Sequence, residues 1–127
     1  MWSSLLDTPI NWALESGLDY AALNHRLISD NIANADTPNY KATRLNFEDY
    51  YDQAKRALDR ESKQLMPNPK EFIFRDESTT MRLDGNNVDP EKEMVELARN
   101  GLAYAALTEL INRRAAYMLL AITEGKG

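Results

Sequence analysis

The chain has 127 residues, 15 basic and 20 acidic side chains and a formal net charge of −5, so one domain is expected and the acidic balance argues against a nucleic-acid partner. It has no cysteine and a single histidine, which removes disulfides, thiolate metal sites and most zinc and haem designs. No apolar run approaches the ~20 residues that cross a bilayer, and the start, Met1 to Asp7, lacks the basic and apolar regions of a secretory signal.

Charge is uneven along the chain. Residues 1–40 carry one basic and five acidic groups, residues 41–86 carry nine of each, and residues 87–127 carry five and six. Two charge-poor ends that pack together, with a solvated middle segment, have this layout.

In the first segment Leu14, Leu18, Ala21, His25, Ile28, Ile32 and Ala35 recur at steps of four and three, a heptad stripe. Leu23 and Leu27 widen it on one side. The pattern predicts a helix from Ile10 to Ala35, with Pro9 suited to its first turn. Gly17 inside it costs about 1 kcal/mol relative to Ala, which implies close packing or a helix ordered by its partners. His25 falls on the stripe and reads as a core or interface histidine. Pro38 ends the helix and pushes Thr37 to extended geometry. Asn39 is then suited to a left-handed backbone.

The middle segment opens with Asn46 as an N-cap before Glu48 and Asp49. Phe47, Tyr50, Tyr51, Ala54 and Leu58 predict a helix over 47–62, ended by Pro67 and Pro69. Residues 71–75 and 79–83 alternate like strands, and Asp76-Glu77-Ser78 would join them as a short hairpin.

Asp84-Gly85-Asn86-Asn87 is turn chemistry. Asp89 offers an N-cap, Pro90 suits the first helical position, and Glu91 and Glu93 favour the positive helix end. The stripe that follows is Met94, Leu97, Gly101, Tyr104, Thr108, Ile111, Ala115, Met118 and Ile122. Val95, Ala98, Leu102, Ala105, Leu107, Leu110 and Leu119 make the helix apolar on nearly two sides. From Pro90 to Thr123 it would run ~50 Å, too long to bury both faces against one partner helix. The surplus apolar area points to neighbouring subunits. The predicted assembly interface is Leu14, Leu18, Ile28, Ile32, Met94, Leu97, Tyr104, Ile111 and Met118.

Catalytic, cofactor and metal residues are not expected. A calcium loop from Asp84 would need a ligand where Val88 stands and glycine where Asp89 stands. No phosphate loop or nucleophile elbow is present. The expected fold is mainly α. Long terminal helices pack as an antiparallel hairpin or coiled coil around an irregular middle segment with a short helix and room for a short β-hairpin.

The run Asn31-Ile32-Ala33-Asn34-Ala35-Asp36-Thr37-Pro38-Asn39-Tyr40 resembles the N-terminal signature N-x-A-N-x-x-T-P-G-Y of bacterial flagellar rod and hook proteins, with Asn39 in place of the glycine. Asp84-Gly85-Asn86-Asn87-Val88-Asp89, with Glu93 and Met94 following, resembles the start of their C-terminal helix. The D-G-N-N-V-D form, the short length and the absence of a large central domain resemble most closely one of the family's two short proximal rod proteins, with the other as the alternative. The resemblance implies a non-enzymatic subunit with no cofactor, whose terminal helices assemble into a hollow tube in the periplasm. It implies other rod proteins, the rod-base adaptor, the MS-ring and the export gate as partners. It also implies type III export without a cleaved signal, with Phe47 at an export-signal position. The alternative of a different class is a helical-hairpin adaptor or export chaperone, folded and dimeric on its own.

Overall fold

The computed structural model describes residues 7–78 and 80–125. Helix α1 spans Pro9–Ala33, strand β1 Thr43–Leu45, helix α2 Phe47–Asp59, strand β2 Ile73–Arg75 and helix α3 Pro90–Glu124, with 3-10 turns at Lys63–Leu65 and Pro69–Phe72. Each α-helix starts on a polar cap that accepts orphan amide protons. Thr8 serves α1, Asn46 serves α2, and the Asp89 carboxylate takes the amides of Glu91 and Lys92 for α3. The fold is mainly α, as the periodicity predicts, and the predicted bounds of α1 and α3 differ from the observed ones by one or two residues.

The predicted hairpin between 71–75 and 79–83 does not form. β2 pairs antiparallel with β1 instead, Leu45 opposite Ile73 and Thr43 opposite Arg75. Asp76 explains the choice. Its amide donates to the Ala42 carbonyl at 2.8 Å, continuing the β1 ladder, while its carboxylate turns back onto the Ser78 amide at 3.0 Å. The chain then runs on with Met81 and Leu83 exposed; Thr79 lies outside the described residues.

α1 lies antiparallel along α3, and the cross-helix contacts fix the register. Arg114 Nε donates to Asn11 Oδ1 at 3.0 Å, Asn24 Nδ2 donates to Asn100 Oδ1 at 3.0 Å, and Asn31 Nδ2 donates to Glu93 Oε2 at 3.3 Å. Leu107 packs against Gly17, where an added Cβ would lie 3.3 Å from Leu107 Cδ1. The glycine inside α1 is therefore a place of close helix approach. The α3 positions Glu93, Asn100, Leu107 and Arg114 are spaced at heptads, so the seam holds α3 in a coiled-coil phase. That phase differs from the predicted stripe. Glu93 and Asn100 are buried where Met94 and Gly101 were expected, and both of those are exposed. His25 is exposed as well, on the shoulder of the seam.

The middle segment covers the other side of α1. Leu23, Leu27 and Leu45 form one small core with Tyr20 and Phe72, and Ala35, Ala42 and Val88 form a second with Tyr40. The aromatic rings of α2 join the first core: Tyr50 sits 4.5 Å from Tyr20 and 6.0 Å edge-on to Phe72. Tyr50 hydroxyl and Ser16 Oγ share a hydrogen bond of 2.6 Å, and burial pushes the Tyr20 phenol up to about 12.

The chain leaves α1 through a turn with Asn39 at φ 63°, the left-handed conformation its sequence predicts. Gly85, at φ 81°, packs directly against the Asn39 carboxamide, where a Cβ would collide with it. Asn39→Gly should therefore be near neutral, whereas Asn39→Val should cost about 1–2 kcal/mol. Gly85→Ala should cost more than either, and part of its loss should return in the double variant with Asn39→Gly, because the collision is gone. Urea denaturation of the four proteins measures this coupling; additive losses would show that the two residues do not meet.

Candidate functional site

Two features stand out. One is a buried polar junction at the end where α1 leaves and α3 begins; the other is the apolar outer surface of α3.

The largest completely buried side chains are Glu93, Asn31 and Asn86. Buried polar groups need partners, and each of these has them. Asn86 Nδ2 donates to the Asn34 carbonyl at 2.9 Å and to the Thr37 carbonyl at 2.8 Å, while its Oδ1 accepts from the Val88 amide at 2.8 Å. It thereby gives a second donor to two carbonyls of the turn after α1, which also accept the Thr37 and Tyr40 amides. Asn31 acts as a substitute strand. Its Oδ1 accepts from the Thr43 amide at 2.9 Å and from the Tyr40 hydroxyl at 3.1 Å, and its Nδ2 donates to the Thr43 carbonyl at 3.0 Å. Asn87 closes the same gap from the other side. Its Oδ1 takes the Ala42 amide at 2.7 Å and its Nδ2 donates to the Asp76 carbonyl at 2.5 Å.

Arg44 completes the junction from β1. It bonds Asp76 Oδ2 through Nε at 2.8 Å and Glu93 Oε1 through Nη2 at 2.7 Å. The Ser78 hydroxyl and then Arg44 hold the Asp76 carboxyl down to about 2. Arg82 reaches across as well, donating to the Val88 carbonyl at 3.0 Å and to the Ala35 carbonyl.

The two signature runs thus meet in space. Asn31, Asn34, Thr37 and Tyr40 from the first bond with Asn86 or with one another, and Asn86, Asn87 and Val88 supply the other wall. Asp84 Oδ1 accepts the Asn86 amide at 3.0 Å, Gly85 makes the turn, and Asp89 caps α3. Ala33 and Pro38 are exposed and shape the chain from outside. Glu93, Arg44, Asp76 and Asn100 were missed as structural residues. The available signal was that Glu93 and Asn100 stand seven apart, in phase with Leu107.

Of the residues predicted to form an assembly interface, Ile28 is buried within the monomer, and Leu14, Leu18, Ile32, Leu97, Ile111 and Met118 are half-buried along the helix pair. Tyr104 is more open, and Met94 stands in solvent at 60% exposure. The side of α3 turned away from α1 exposes Val95, Leu102 and Leu120, with Leu102 at 74%, and Leu110 and Tyr117, each three residues after a seam position, are exposed on its flank. Among the described residues no helix is long and apolar enough to cross a membrane, and no cluster of His, Asp and Glu could hold a metal ion.

Two losses of stability test the junction. Asn86→Ala removes three hydrogen bonds and leaves the Val88 amide without its acceptor, while the Asn34 and Thr37 carbonyls keep the Thr37 and Tyr40 amides; it should cost about 3 kcal/mol at roughly 1 kcal/mol for each bond. Asp76 is depressed in the folded state, so its contribution is fully present above the ordinary carboxylate range near 3.9 and falls as pH drops toward about 2. Ser78→Ala removes the largest cause of that depression and should shrink the loss between pH 4 and 2. Acid titration followed by circular dichroism reads both variants; unchanged acid sensitivity in Ser78→Ala would contradict the assignment.

Residues 14–41, which hold most of α1 and the turn after it, match the family model described as "Flagella basal body rod protein". The chain is 36% identical over 123 residues to the flagellar basal body rod protein FlgB of Bacillus subtilis, covering 89% of this chain and 92% of that protein. It is 32% identical over 108 residues to FlgB of Borreliella burgdorferi and 34% identical over 108 residues to FlgB of Borrelia hermsii, in both cases 73% of this chain and 80% of the relative. Match and relatives agree with the two signature runs that build the junction: the chain belongs to the FlgB family of flagellar basal body rod proteins.

Proposed function

We propose that the chain is a structural, non-enzymatic subunit of the proximal rod, which assembles through its terminal helices into the hollow shaft of the flagellar basal body. The observation that carries this reading is the outer surface of α3. A helix of 35 residues is about 52 Å long. One side of it meets α1, while Leu102 and Leu120 face solvent on the opposite side and Leu110 and Tyr117 on a flank. Contiguous exposed apolar area of that kind marks a protein interface. α1 and the middle segment leave it uncovered, so its partners are neighbouring subunits. The proposed neighbours are other rod proteins, the rod-base adaptor, the MS-ring and the export gate, with delivery by the flagellar type III apparatus. Leu14, Leu18, Ile32, Leu97 and Met118 would contribute their half-exposed edges to the same assembly.

The polar junction has a complementary role in this reading. It fixes the angle at which the middle segment leaves the helix pair, so that every subunit presents the same outline to its neighbours.

Leu102→Asp separates assembly from folding. At 74% exposure the change should move monomer stability by no more than about 0.5 kcal/mol. Incorporation into basal bodies and swarming should fall at least tenfold, because a carboxylate would be buried without a partner. Normal swimming with normal protein levels would exclude this surface as an assembly face.

A further inference from the structure

Asn100 is the one asparagine of the sequence that glycine follows. In an open chain this is the most labile setting for an asparagine, because glycine has no Cβ to keep its amide nitrogen away from the preceding side chain. The Gly101 nitrogen attacks Asn100 Cγ, a C–N bond forms, the Cγ–Nδ2 bond breaks, and ammonia leaves with the amide proton. The five-membered imide then takes up one water and opens to aspartate or isoaspartate. The sum is one water consumed and one ammonia released, with no oxidant or reductant.

The fold blocks each part of that step. Both residues lie inside α3, where the Gly101 amide proton is committed to the carbonyl four residues back. Asn100 is 8% exposed, and both ends of its carboxamide are held from α1. Nδ2 donates to the Ala21 carbonyl at 2.7 Å, and Oδ1 accepts from Asn24 Nδ2 at 3.0 Å. The side chain therefore reaches across the seam and not back toward its own main chain. Gly101 has no steric reason within this chain to be glycine. It is exposed, and a Cβ there would meet nothing within 4 Å, yet it costs α3 about 1 kcal/mol relative to alanine.

The product does not fit the seam. Aspartate has no donor for the Ala21 carbonyl and would set a buried charge against it. Isoaspartate adds a methylene to the main chain and breaks the turn of α3 that meets α1.

We propose that Asn100-Gly101 is a deamidation site that the α1–α3 pair keeps silent. A paired chain is protected, and a chain left open is converted irreversibly into one that cannot pair. This gate belongs to the single chain and does not depend on the proposed assembly.

Purified full-length protein held at mildly alkaline pH, in buffer and in guanidinium chloride, tests the gate. Peptide mapping by mass spectrometry reads conversion of the amide at position 100. Conversion should be at least about tenfold slower in buffer, where the helices are paired. Gly101→Ala should slow conversion in guanidinium by a similar factor. It should not lower the melting temperature, because its methyl enters open space. Asn100→Asp, which carries the product side chain from the start, should melt lower than the wild-type chain. Wild-type chains converted in denaturant and returned to buffer should lose helical circular dichroism in proportion to the converted fraction, whereas Gly101→Ala treated alike should recover it. Equal conversion in buffer and denaturant, unchanged lability in Gly101→Ala, or full recovery of helix by converted chains overturns the proposal.

Discussion

The structure depends on asparagine side chains that stand in for backbone. Where α1 ends, its last carbonyls lose their helical partners, and the chain must turn into a short strand with no neighbour on one edge. Asn86 bonds the carbonyls of Asn34 and Thr37 in the turn that follows, and Asn31 bonds both the amide and the carbonyl of Thr43. Only a carboxamide offers a donor and an acceptor together at that reach. Aspartate would lack the donors and bury a charge, and leucine would remove all of these bonds and leave the buried amides of Thr43 and Val88 without their acceptors at roughly 1–3 kcal/mol each. The bonds span 12 residues for Asn31 to Thr43 and 52 for Asn86 to Asn34. They therefore close the fold rather than shape one segment.

The same logic sets the register of the helix pair. The hydrophobic cores are small, each with three buried residues, and apolar contacts alone would tolerate sliding of α1 along α3. Asn100 and Glu93 prevent it. Asn100 donates to the Ala21 carbonyl at 2.7 Å and accepts from Asn24, while Glu93 is held by Asn31 and Arg44. A shift by one heptad would leave both without partners in a buried seam. A polar residue at a seam position trades some stability for a single register. Arg44 adds a second constraint, because its guanidinium ties the start of α3 to the β1–β2 sheet through Glu93 and Asp76.

What could be read from the sequence follows from how local each feature is. The bounds of α1 and α3, the caps at Asn46 and Asp89, and the left-handed Asn39 depend on neighbouring residues; the caps and Asn39 are found where the sequence puts them and the helix bounds within two residues. The phase of α3 was not legible from apolar spacing. The rule that counts apolar positions selects Met94 and Gly101, whereas the buried positions are Glu93 and Asn100, whose partners lie 49 to 79 residues away. Burial of a glutamate becomes favourable only once Arg44 and Asn31 are in place, and neither is visible as a partner from α3 alone. The strand at 73–75 was legible as a strand, but its pairing was not. Asp76 chooses β1 by a hydrogen bond to Ala42, which no alternation pattern encodes.

Stabilising contacts are distributed unequally along α3, and that asymmetry bears on assembly. Its first turns are fixed by a cap, a buried ion pair and an asparagine network. Its last turns, after Arg114, carry no charge until Glu124 and make no ion pair among the described residues. Free energy available from burying apolar surface is therefore unspent at one end and already committed at the other. A subunit built this way keeps one conformation at the junction, whatever its neighbours do. In the proposed assembly its gain on association would come from the far end, at roughly 25 cal/mol for each Å² of apolar surface removed from water. In that assembly, substitutions at the exposed Leu119 and Leu120 would act on association with little effect on the fold, whereas substitutions at Asn31, Asn86 or Glu93 would act on the fold first and on assembly only through it.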